Sequence, residues 1–567
     1  MIVLGIYGGH ESGVCLVEDG KIISAIQEER INRIKHFIGF PRKSIFKCLE
    51  IAGIKSSDVD VVAFNAMEML PTLYSLRKKN FPKNLITNSD NRNISTIWDY
   101  YLFLAENTGL LKYDIRFSKK ITERMIRKSG FENQKLFIVD HHKAHAITAK
   151  HMNPEGKHLV ITLDGRGNGL SGGVWIGKNG RITENISQFK TSGSLGYFYG
   201  NITEVLGYRM DWDECKTMAL APFGNPESVY SIFKKMFHVN NLKICKRFPK
   251  KYTRRGGIFL ERILNQYEKK DIAAAAQKIL EDTVCRLVKN STEETGIRDV
   301  MLSGGVFLNV KLNKRIMEMD CVKDVKIFPA AGDDGIAAGS ALLAYNELTG
   351  NNVKSFGSPY LGDEFSEEEI QTSLEKYKNK FEVEHREDVS DFVGEELLPR
   401  GMIGGWFQGR MEMGPRALGN RSVLADPRDR GMPKKLISCL KDRPAFQPFC
   451  QSILDRVSKD YIVNPKNVDA SYMIMAFDST ERGREETPAV VHIDNSIRPQ
   501  LLTRQMNPKY YQLIEKFGEV TGIPVVLNTS FNVSSEPIVH TPLDALNDFI
   551  RTKLDFLAIG NFILTRR

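Results

Sequence analysis

The sequence predicts a two-domain protein of the α/β and α+β classes, and the main sign is a pattern that occurs twice in its first half. An apolar strand, a glycine-rich loop and a hairpin occur at residues 2–27 and again at residues 159–182. The hairpins turn at Asp-Gly, residues 19–20, and at Asn-Gly, residues 179–180, which are strong signals of two-residue turns between antiparallel strands. We therefore expect the first domain to contain two similar halves.

Length and linker composition place the domain boundary. The chain has 567 residues, which is more than one hydrophobic core usually supports. Residues 350–362 have the composition of a linker, and a Ser-x-x-Glu pattern at residues 366–369 predicts a capping box that opens a new helix. We predict a first domain at residues 1–352, with a helical insertion near residues 66–135, and a second domain at residues 358–567.

Composition is that of an ordinary soluble globular protein. Apolar residues make up 42% and charged residues 26% of the chain, and no apolar run approaches the ~20 residues of a membrane span. The eight cysteines include no C-x-x-C pair, so neither a thiolate zinc site nor a disulfide framework is indicated. A strand begins directly after Met1 without a basic leader, so the expected location is the cytoplasm. The formal net charge of +10 permits anionic partners such as nucleotides or RNA without selecting among them.

A histidine pair and two aspartates form the most informative chemical pattern in the first domain. His141 and His145 are four residues apart where an apolar strand runs into a helix, so both imidazoles project from one helical face and can reach one metal ion. Asp164 and Asp333 each follow an apolar segment and lie beside glycines that remove side-chain obstruction. Two imidazoles and two carboxylates suit iron, manganese or zinc better than calcium.

Each part of this pattern also has a simpler structural interpretation. The histidines fit a His-rich helix N-terminus whose rings bond to backbone groups. The Asp-Gly pairs at residues 164–165 and 334–335 fit ordinary turns. The residues alone leave these alternatives open.

Two further regions carry features of phosphate binding. Ser303, Gly304 and Gly305 link an apolar strand to a helix and place backbone N–H groups where a phosphate or adenine can lie. The second domain carries arginines, a lysine and Ser/Asn residues beside short apolar strands, and guanidinium groups bind phosphate oxygens bidentately. Solvated surface charge is the simpler interpretation of any one arginine. Pro415 suits the first position of a helix.

Taken together, these segments resemble the bacterial O-carbamoyltransferase family, which includes nodulation-factor, cephem and aminoglycoside carbamoyltransferases. The match runs nearly end to end, apart from the insertion and the linker. It rests on Gly9-His10, Asp19-Gly20, Glu28-Glu29-Arg30, Lys35-His36, His141-His142, His145-Ala146, Asp164-Gly165, Gly224, Ser303-Gly304-Gly305, Gly332-Asp333, and the segments 414–422, 425–428 and 528–532.

The resemblance also implies the fold of each domain. Family members pair a domain similar to the tRNA threonylcarbamoyl transferase TsaD with a YrdC-like C-terminal domain. The duplicated pattern itself resembles the actin, sugar-kinase and heat-shock ATPase superfamily, in which two similar halves face a nucleotide cleft. We therefore expect an actin/sugar-kinase-like first domain and a YrdC-like second domain.

By position, the resemblance also implies functions for individual residues. His10 and Lys35 are the expected catalytic residues. The expected ligands of an iron-type metal are His141, His145, Asp164 and Asp333. The expected nucleotide and carbamoyl-adenylate site comprises Gly304, Gly305, Asn309, Lys441, Arg443, Asn528, Ser530 and Asn532. The expected carbamoyl phosphate site comprises Arg416, Gln447 and Arg498.

The implied activity is ATP-dependent O-carbamoyl transfer of the kind that serves antibiotic biosynthesis. The YrdC-like domain would make carbamoyl adenylate from carbamoyl phosphate and ATP, with Mg²⁺ on the nucleotide. In the first domain Fe²⁺ or a similar divalent metal and Lys35 would hold the adenylate, while His10 assists deprotonation of a small-molecule hydroxyl. No membrane and no nucleic acid are expected as partners, and homodimerisation is left open.

Two departures from the family pattern leave other functions open. Gln447 replaces an arginine that the family uses on carbamoyl phosphate, and Cys215 replaces the middle glycine of a Glu-Gly-Lys motif. Losing a charge-assisted hydrogen bond of ~1.5–3 kcal/mol would weaken donor binding roughly 10- to 100-fold. One alternative is a tRNA-modifying enzyme of the threonylcarbamoyl type, and another is an altered-donor or non-catalytic nucleotide-binding homologue.

Overall fold

The computed structural model describes residues 1–65, 110–246, 260–377, 379–440 and 443–566. The chain divides into two compact units, one formed by Met1–Glu28 with His36–Gly357 and the other by Glu29–Lys35 with Ser358–Arg567. The division after Gly357 lies inside the expected linker. The segment Glu29–Lys35 differs from expectation because it belongs to the second unit. Residues 66–109 of the expected insertion lie outside the described ranges.

The first unit begins with a five-stranded mixed sheet. Its strands are β1 (Ile2–Tyr7), β2 (Gly13–Glu18), β3 (Lys21–Gln27), β4 (Val61–Asn65) and β5 (Lys135–Val139), in the spatial order β3-β2-β1-β4-β5. β1, β2 and β3 are antiparallel, whereas β4 and β5 run parallel to β1. The hairpin turn has a φ of 46° at Asp19 and 78° at Gly20, which are the positive values that a type I′ turn requires.

A second sheet repeats this arrangement. Its strands are β6 (Lys157–Gly167), β7 (Leu170–Lys178), β8 (Arg181–Lys190), β11 (Asp299–Ser303) and β12 (Asp324–Ile327), and β9 (Phe237–Asn240) and β10 (Lys243–Lys246) form a separate hairpin. The order is β12-β11-β6-β7-β8, with β6, β7 and β8 antiparallel and β6, β11 and β12 parallel. Both sheets therefore have the order 3-2-1-4-5 when counted from their own first strand. This confirms the predicted duplication and the kinase-like α/β architecture of the first domain.

Helices connect the strands of the first unit. They are α1 (Glu28–Asn32, at the boundary between the units), α2 (Arg42–Ala52), α3 (Leu111–Arg127), α4 (His141–His151), α5 (Leu195–Val205), α6 (Glu214–Leu220), α7 (Glu227–Lys234), α8 (Lys269–Thr295), α9 (Val310–Glu318) and α10 (Ile336–Thr349). α10 packs against β1 and α4 at very close range, because a Cβ at Gly339 would lie 2.2 Å from Ala144 O and one at Gly5 would lie 2.0 Å from Ala337 O. These glycines let α10 fix α4 against the first sheet.

The second unit is built on an eight-stranded mixed sheet. Its strands are β13 (Phe381–His385), β14 (Gly404–Phe407), β15 (Arg421–Ala425), β16 (Cys450–Leu454), β20 (Pro499–Leu502), β21 (Val525–Ser530), β22 (Phe556–Ile559) and β23 (Phe562–Arg566), in the order β13-β23-β22-β14-β15-β21-β16-β20. A smaller three-stranded sheet contains β17 (Ile462–Val463), β18 (Phe477–Ser479) and β19 (Ser496–Ile497). The assignment of this unit to the YrdC-like class stays a prediction.

Helices cover both faces of the large sheet. They are α11 (Glu367–Glu375), α12 (Val389–Phe392), α13 (Met432–Cys439), α14 (Ser458–Tyr461), α15 (Glu481–Glu486), α16 (Pro508–Thr521) and α17 (Pro542–Arg551). Phe407 packs in one apolar cluster with residues of α13 and α17, whereas its neighbour Trp406 packs in another with residues of α16. This follows from the alternation of side chains along a strand. Among the described residues, no helix combines the length and the apolar character needed to cross a membrane.

One helix start was predicted correctly and one was not. Ser366 Oγ accepts from Glu369 N at 3.2 Å and Glu369 Oε2 accepts from Ser366 N at 2.7 Å, which confirms the capping box of α11. The chain after Pro415 forms a loop instead of a helix. The Glu412 carboxylate explains this loop, because its Oε1 accepts from the backbone N–H groups of Leu418 at 2.8 Å, Asn420 at 2.7 Å and Arg421 at 3.2 Å.

Candidate functional site

The four residues expected to bind a metal meet in the first unit. α4 begins after Asp140, whose side chain accepts from Lys143 N and caps the helix. The cap sets the start of the helix that carries His141 and His145 one turn apart. Asp164 lies on β6, and Asp333 lies directly before α10. One ligand atom from each of the four side chains lies within 4.8 Å of the others.

Distances within the cluster show that the ligand atoms converge. His141 Nε2 lies 3.1 Å from Asp164 Oδ2 and 3.5 Å from Asp333 Oδ1. His145 Nε2 lies 3.6 Å from each of the same two oxygens. The alternative of two unrelated turns and a His-rich helix end does not explain why the four side chains share one point.

Neighbouring groups orient three of the four side chains. Tyr7 OH donates to Asp333 Oδ2 at 2.6 Å, and Gly305 N donates to Asp164 Oδ1 at 3.2 Å. Ser303 Oγ lies 3.3 Å from His145 Nδ1. Each contact involves the polar atom of the side chain that faces away from the cluster, which we call the outer atom. The other polar atom, the inner atom, stays directed at the cluster, as is usual where supporting groups surround metal ligands.

The inner atoms fit a cation. His145 Nε2 and Asp333 Oδ1 are buried and have no hydrogen-bond partner in the part of the chain that the structure describes, an arrangement that is costly unless a ligand satisfies them. Burial would lower the pKa of His145, but Asp164 and Asp333 raise it to about 9. Burial raises the pKa of Asp333, and the neighbouring Asp164 carboxylate adds to the rise. The donor set of two nitrogens and two oxygens suits iron, manganese or zinc.

The two expected catalytic residues lie in different units. His10 is half-buried in the first unit, and its Nε2 is buried without a hydrogen-bond partner among the described residues. Lys35 belongs to the second unit, where its Nζ donates to Ser534 O at 3.1 Å. Lys35 therefore packs with the second unit, and its expected catalytic function stays a prediction. Arg33 explains its placement, because the Arg33 guanidinium donates to Ile538 O at 2.7 Å and to Pro537 O at 2.9 Å.

The glycine loop after β11 packs against β6, the strand that carries Asp164 of the candidate metal site. Gly304 has a φ of 106°, and a Cβ there would lie 2.1 Å from Leu163 O, so only glycine fits this close approach. Asn309 caps α9 by accepting from Leu312 N at 3.0 Å. Its amide also exchanges hydrogen bonds of 2.9 and 3.0 Å with Gln277. Asn309 thus has a structural function in this structure, beyond the expected nucleotide contact.

Two arginines expected to bind carbamoyl phosphate or the nucleotide donate hydrogen bonds to backbone carbonyl oxygens and to a thiol of the second unit. Arg443 donates to Gln447 O at 3.0 Å and to Pro448 O at 2.8 Å. Arg498 donates to Cys450 Sγ at 2.9 Å from Nε and at 2.7 Å from Nη2. Arg416 and Gln447 are half-buried, and Lys441 lies outside the described residues. Sequence reasoning missed the contact of Cys450, since a cysteine inside an apolar strand carries no signal of it.

The expected Ser/Asn residues of β21 bond mainly within the second unit. Asn528 is fully buried, and its Nδ2 donates to Ser452 Oγ at 3.0 Å. Ser530 Oγ donates to Asn532 Oδ1 at 2.7 Å, and Asn532 Nδ2 donates to Glu536 O at 2.8 Å. Asn528 therefore stabilises the sheet interior, whereas Ser530 and Asn532 shape the loop that follows β21.

Comparison with known proteins identifies the class of protein to which this fold and cluster belong. The chain matches the model of the carbamoyltransferase N-terminus over residues 2–342 and that of the carbamoyltransferase C-terminus over residues 395–566. It belongs to the carbamoyltransferase family and is a transferase enzyme.

Named relatives agree with this membership. Nodulation protein NolNO of Sinorhizobium fredii is 33% identical over 98% of this chain and 79% of its own length. Nodulation protein NolO of Bradyrhizobium diazoefficiens is 31% identical over 76% of this chain and 79% of its own length. The 3'-hydroxymethylcephem-O-carbamoyltransferase of Amycolatopsis lactamdurans is 27% identical over 75% of this chain and 80% of its own length.

Solved structures are more distant. Component A of (R)-2-hydroxyglutaryl-CoA dehydratase from Acidaminococcus fermentans is 18% identical, with a TM-score of 0.35 over 61% of this chain and 98% of that one. Full-length HypF in its phosphate- and nucleotide-bound form is 14% identical, with a TM-score of 0.31 over 61% of this chain and 46% of that one. Likenesses at this level carry no functional argument.

Proposed function

We propose that this carbamoyltransferase makes carbamoyl adenylate from carbamoyl phosphate and ATP and transfers the carbamoyl group to a hydroxyl of a small-molecule acceptor. The observation that carries the proposal is the convergence of His141, His145, Asp164 and Asp333 in a chain that matches both carbamoyltransferase domains. The relative named 3'-hydroxymethylcephem-O-carbamoyltransferase supports an oxygen acceptor.

In the first half-reaction, carbamoyl phosphate yields its phosphoryl group to water as orthophosphate. An oxygen of the resulting carbamate attacks the α-phosphorus of ATP, the bond to the β-phosphate breaks, and pyrophosphate leaves. Mg²⁺ on the nucleotide neutralises charge on the phosphates. Arg416, Arg443 and Arg498 are the guanidinium groups that we assign to phosphate oxygens, because planar guanidinium groups bind them bidentately.

In the second half-reaction, the acceptor oxygen attacks the carbamoyl carbon. The bond from that carbon to the adenylate oxygen breaks, AMP leaves with the electron pair, and the hydroxyl proton moves to His10 Nε2. That nitrogen is buried and has no hydrogen-bond partner within the described ranges. An imidazole titrates near neutrality, so it accepts and later releases this proton.

His141, His145, Asp164 and Asp333 are the residues that would hold a divalent metal, with Fe²⁺ as the expected ion. When bound, such an ion supplies a Lewis acid that polarises carbonyl or phosphoryl oxygens. The residues themselves hold the inner atoms in place, since Tyr7, Gly305 and Ser303 contact the outer atoms of three of them.

Tyr7→Phe is expected to weaken metal binding roughly 10- to 100-fold, because loss of a group that orients a ligand usually costs this much. The substitution removes the hydroxyl that donates to Asp333 Oδ2 and changes little else in side-chain volume. The measurement is the metal dissociation constant in competition with a fluorescent chelator. Tyr377→Phe, which removes a hydroxyl that donates to Asn547 in the second unit, is the control. Equal affinities in wild type and Tyr7→Phe would show that this hydroxyl does not support the site.

The proposed function is tested first without an acceptor. The purified protein, ATP, Mg²⁺ and carbamoyl phosphate are mixed. Pyrophosphate, orthophosphate and carbamoyl adenylate are then followed, the last by mass spectrometry. We expect equal amounts of the two phosphates and a carbamoyl adenylate peak. A folded, metal-loaded protein that leaves ATP untouched would exclude carbamoyl phosphate as the donor.

Gln447→Arg is expected to lower the Michaelis constant for carbamoyl phosphate about 10-fold or more, because a charged donor strengthens a hydrogen bond to phosphate by ~1.5 kcal/mol. The readout is pyrophosphate release as a function of carbamoyl phosphate concentration. Gln371→Arg adds the same charge on the exposed side of α11 and serves as the control. An unchanged Michaelis constant in Gln447→Arg would mean that position 447 does not contact the donor.

A further inference from the structure

We propose that Lys150 is a positioning residue of the candidate metal site, whose buried ammonium group fixes the helix that carries His141 and His145 against the strand that carries Asp164. The inference deepens the proposed function and rests on it, because it requires that these ligands bind a metal. Lys150 lies in the last turn of α4, five residues after His145. It therefore acts through the helix and not by contact with the ion.

The Lys150 ammonium group lies among four acceptors. Its Nζ donates to the carbonyl oxygens of Asn153 at 2.8 Å, Glu155 at 3.1 Å and Gly156 at 3.2 Å. It also lies 2.6 Å from His158 Nδ1. The lysine side chain is fully buried. Because an ammonium group has three N–H donors, these acceptors use its whole hydrogen-bonding capacity.

The protonation states of the two side chains suit this contact. Burial lowers the pKa of His158 to about 4, and the Lys150 ammonium adds to the fall. The imidazole is therefore neutral near physiological pH, and its Nδ1 can accept a hydrogen bond. Burial lowers the pKa of Lys150 to about 8, so most of the amine keeps its proton under the same conditions.

The cation is held by neutral groups. Burial is the cause of the shift in the pKa of Lys150, and no carboxylate of the described residues pairs with it. A buried charge is costly unless hydrogen bonds satisfy it, and apolar residues of similar volume often stabilise a fold equally well. The ammonium group therefore contributes a fixed local geometry more than net stability.

The acceptors belong to the segment that joins α4 to β6. Three are carbonyl groups of the turn at residues 153–156, and the fourth is on His158, the second residue of β6. Asp164 follows six residues later on the same strand. Lys150 thus connects the end of the helix with the turn and the strand. Fixing both elements sets the separation between the imidazoles of α4 and the carboxylate of β6.

The neighbouring hairpin holds the same turn from its other side. Gly156 O also accepts from Asn179 N at 3.0 Å, and Asn179 opens the Asn-Gly turn between β7 and β8. The lysine stem packs closely on β7, because a Cβ at Gly177 would lie 2.9 Å from Lys150 Cδ. Glycine at this position leaves room for the stem. The ammonium group is therefore held where α4, β6 and the hairpin meet.

A lysine that only capped α4 would affect the stability of the fold and not the geometry of the metal ligands. Lys150→Met keeps a long apolar stem and removes all the N–H donors. We expect it to weaken metal binding about tenfold, the lower end of the effect of groups that support metal ligands. The measurement is the metal dissociation constant in competition with a fluorescent chelator. The visible absorption spectrum of the Co²⁺-loaded protein, which reports ligand geometry, should change as well.

Lys157→Met is the matched control. Lys157 is the exposed first residue of β6, so this variant removes an ammonium group from the same strand without removing a buried donor. Its metal affinity and Co²⁺ spectrum should equal those of wild type. Pyrophosphate release from ATP should continue in both variants, because we assign adenylate formation to the second unit.

Chemical rescue separates the cation from the volume of the side chain. Lys150→Ala removes three carbons and the nitrogen, which are the heavy atoms of n-propylammonium. We expect n-propylammonium to restore metal affinity in Lys150→Ala and to leave wild type unchanged, whereas n-propanol should not restore it. His158→Phe, which removes one acceptor and keeps a ring, is a second variant in case the lysine variants do not fold. It too should weaken metal binding.

The outcomes distinguish this inference from the proposed function. Wild-type metal affinity and an unchanged Co²⁺ spectrum in folded Lys150→Met or His158→Phe would remove only the positioning function of Lys150. Equal rescue by n-propanol would show that packing and not the cation matters, and would also overturn the inference. Absence of metal binding by wild type would overturn the candidate metal site together with it.

Discussion

His141→Ala is expected to reduce carbamoyl transfer at least about 100-fold while adenylate formation from ATP continues. The substitution removes one of the four side chains whose ligand atoms lie within 4.8 Å of one another. It leaves Asp164 with His145 as its nearest imidazole, which is an incomplete donor set for a divalent ion. Alanine also favours a helix, so α4 should persist.

Metal content and the two half-reactions of His141→Ala are measured separately, so that loss of the metal can be distinguished from unfolding. Metal content is determined by plasma mass spectrometry, and the two half-reactions are followed as pyrophosphate release and carbamoylated product. Lys143→Ala is the control on the same helix, because it removes only a half-exposed ion pair of 2.7 Å with Glu347, and such pairs contribute little. Full metal content in His141→Ala, or loss of both half-reactions together in a folded variant, would contradict the assignment.

Arg421→Met is expected to lower the free energy of unfolding of the second unit by about 3 kcal/mol or more, because buried acceptors left without donors cost ~1–3 kcal/mol each. The Arg421 side chain is fully buried. Its guanidinium lies 3.7 Å from the centroid of the Phe407 ring. It donates to the carbonyl oxygens of Gln408, Gly409, Asn420 and Asp363 at 2.6, 3.0, 3.0 and 3.2 Å. Methionine fills similar volume but supplies none of these donors.

Hydrogen exchange is the suitable measurement for Arg421→Met, since a two-unit protein need not unfold in one step. Amides of β15 in the second unit should lose protection, whereas those of β6 in the first unit should keep it. Metal content should also stay unchanged. Arg428→Met is the control, because Arg428 is exposed and its main partner is the Asp426 carboxylate. Unchanged protection of β15 would show that solvent replaces the lost donors without cost.

Arg421 also shows why the loop before β15 was predicted wrongly. A proline followed by good helix-forming residues is a local signal of a helix start. In the structure, the Glu412 carboxylate accepts hydrogen bonds from backbone N–H groups of this loop. The Arg421 guanidinium donates hydrogen bonds to its backbone carbonyl oxygens. Burial lowers the pKa of Arg421 to about 10, which fits a charge held inside the fold. These bonds join side chain and backbone in a geometry that no local pattern specifies.

The candidate metal site was predictable to a larger extent because its signals are local. A spacing of four residues on a helix places His141 and His145 on one face whatever the rest of the fold, and both aspartates follow apolar segments. Tyr7 gave no such signal, since a tyrosine at the end of a strand is usually a packing residue. Its contact with Asp333 exists only because β1 and α10 pack at close range.

The sequence by itself determined the duplicated strand and hairpin pattern and the family, and it predicted the four residues expected to bind a metal, since turns, helical spacing and motifs act over a few residues. Only the tertiary structure decided that these four side chains meet, that Lys35 packs with the second unit, and that Asn309 and Asn528 stabilise the fold. These facts depend on pairing and burial between segments far apart in the chain, and such contacts are specified by the whole packed core.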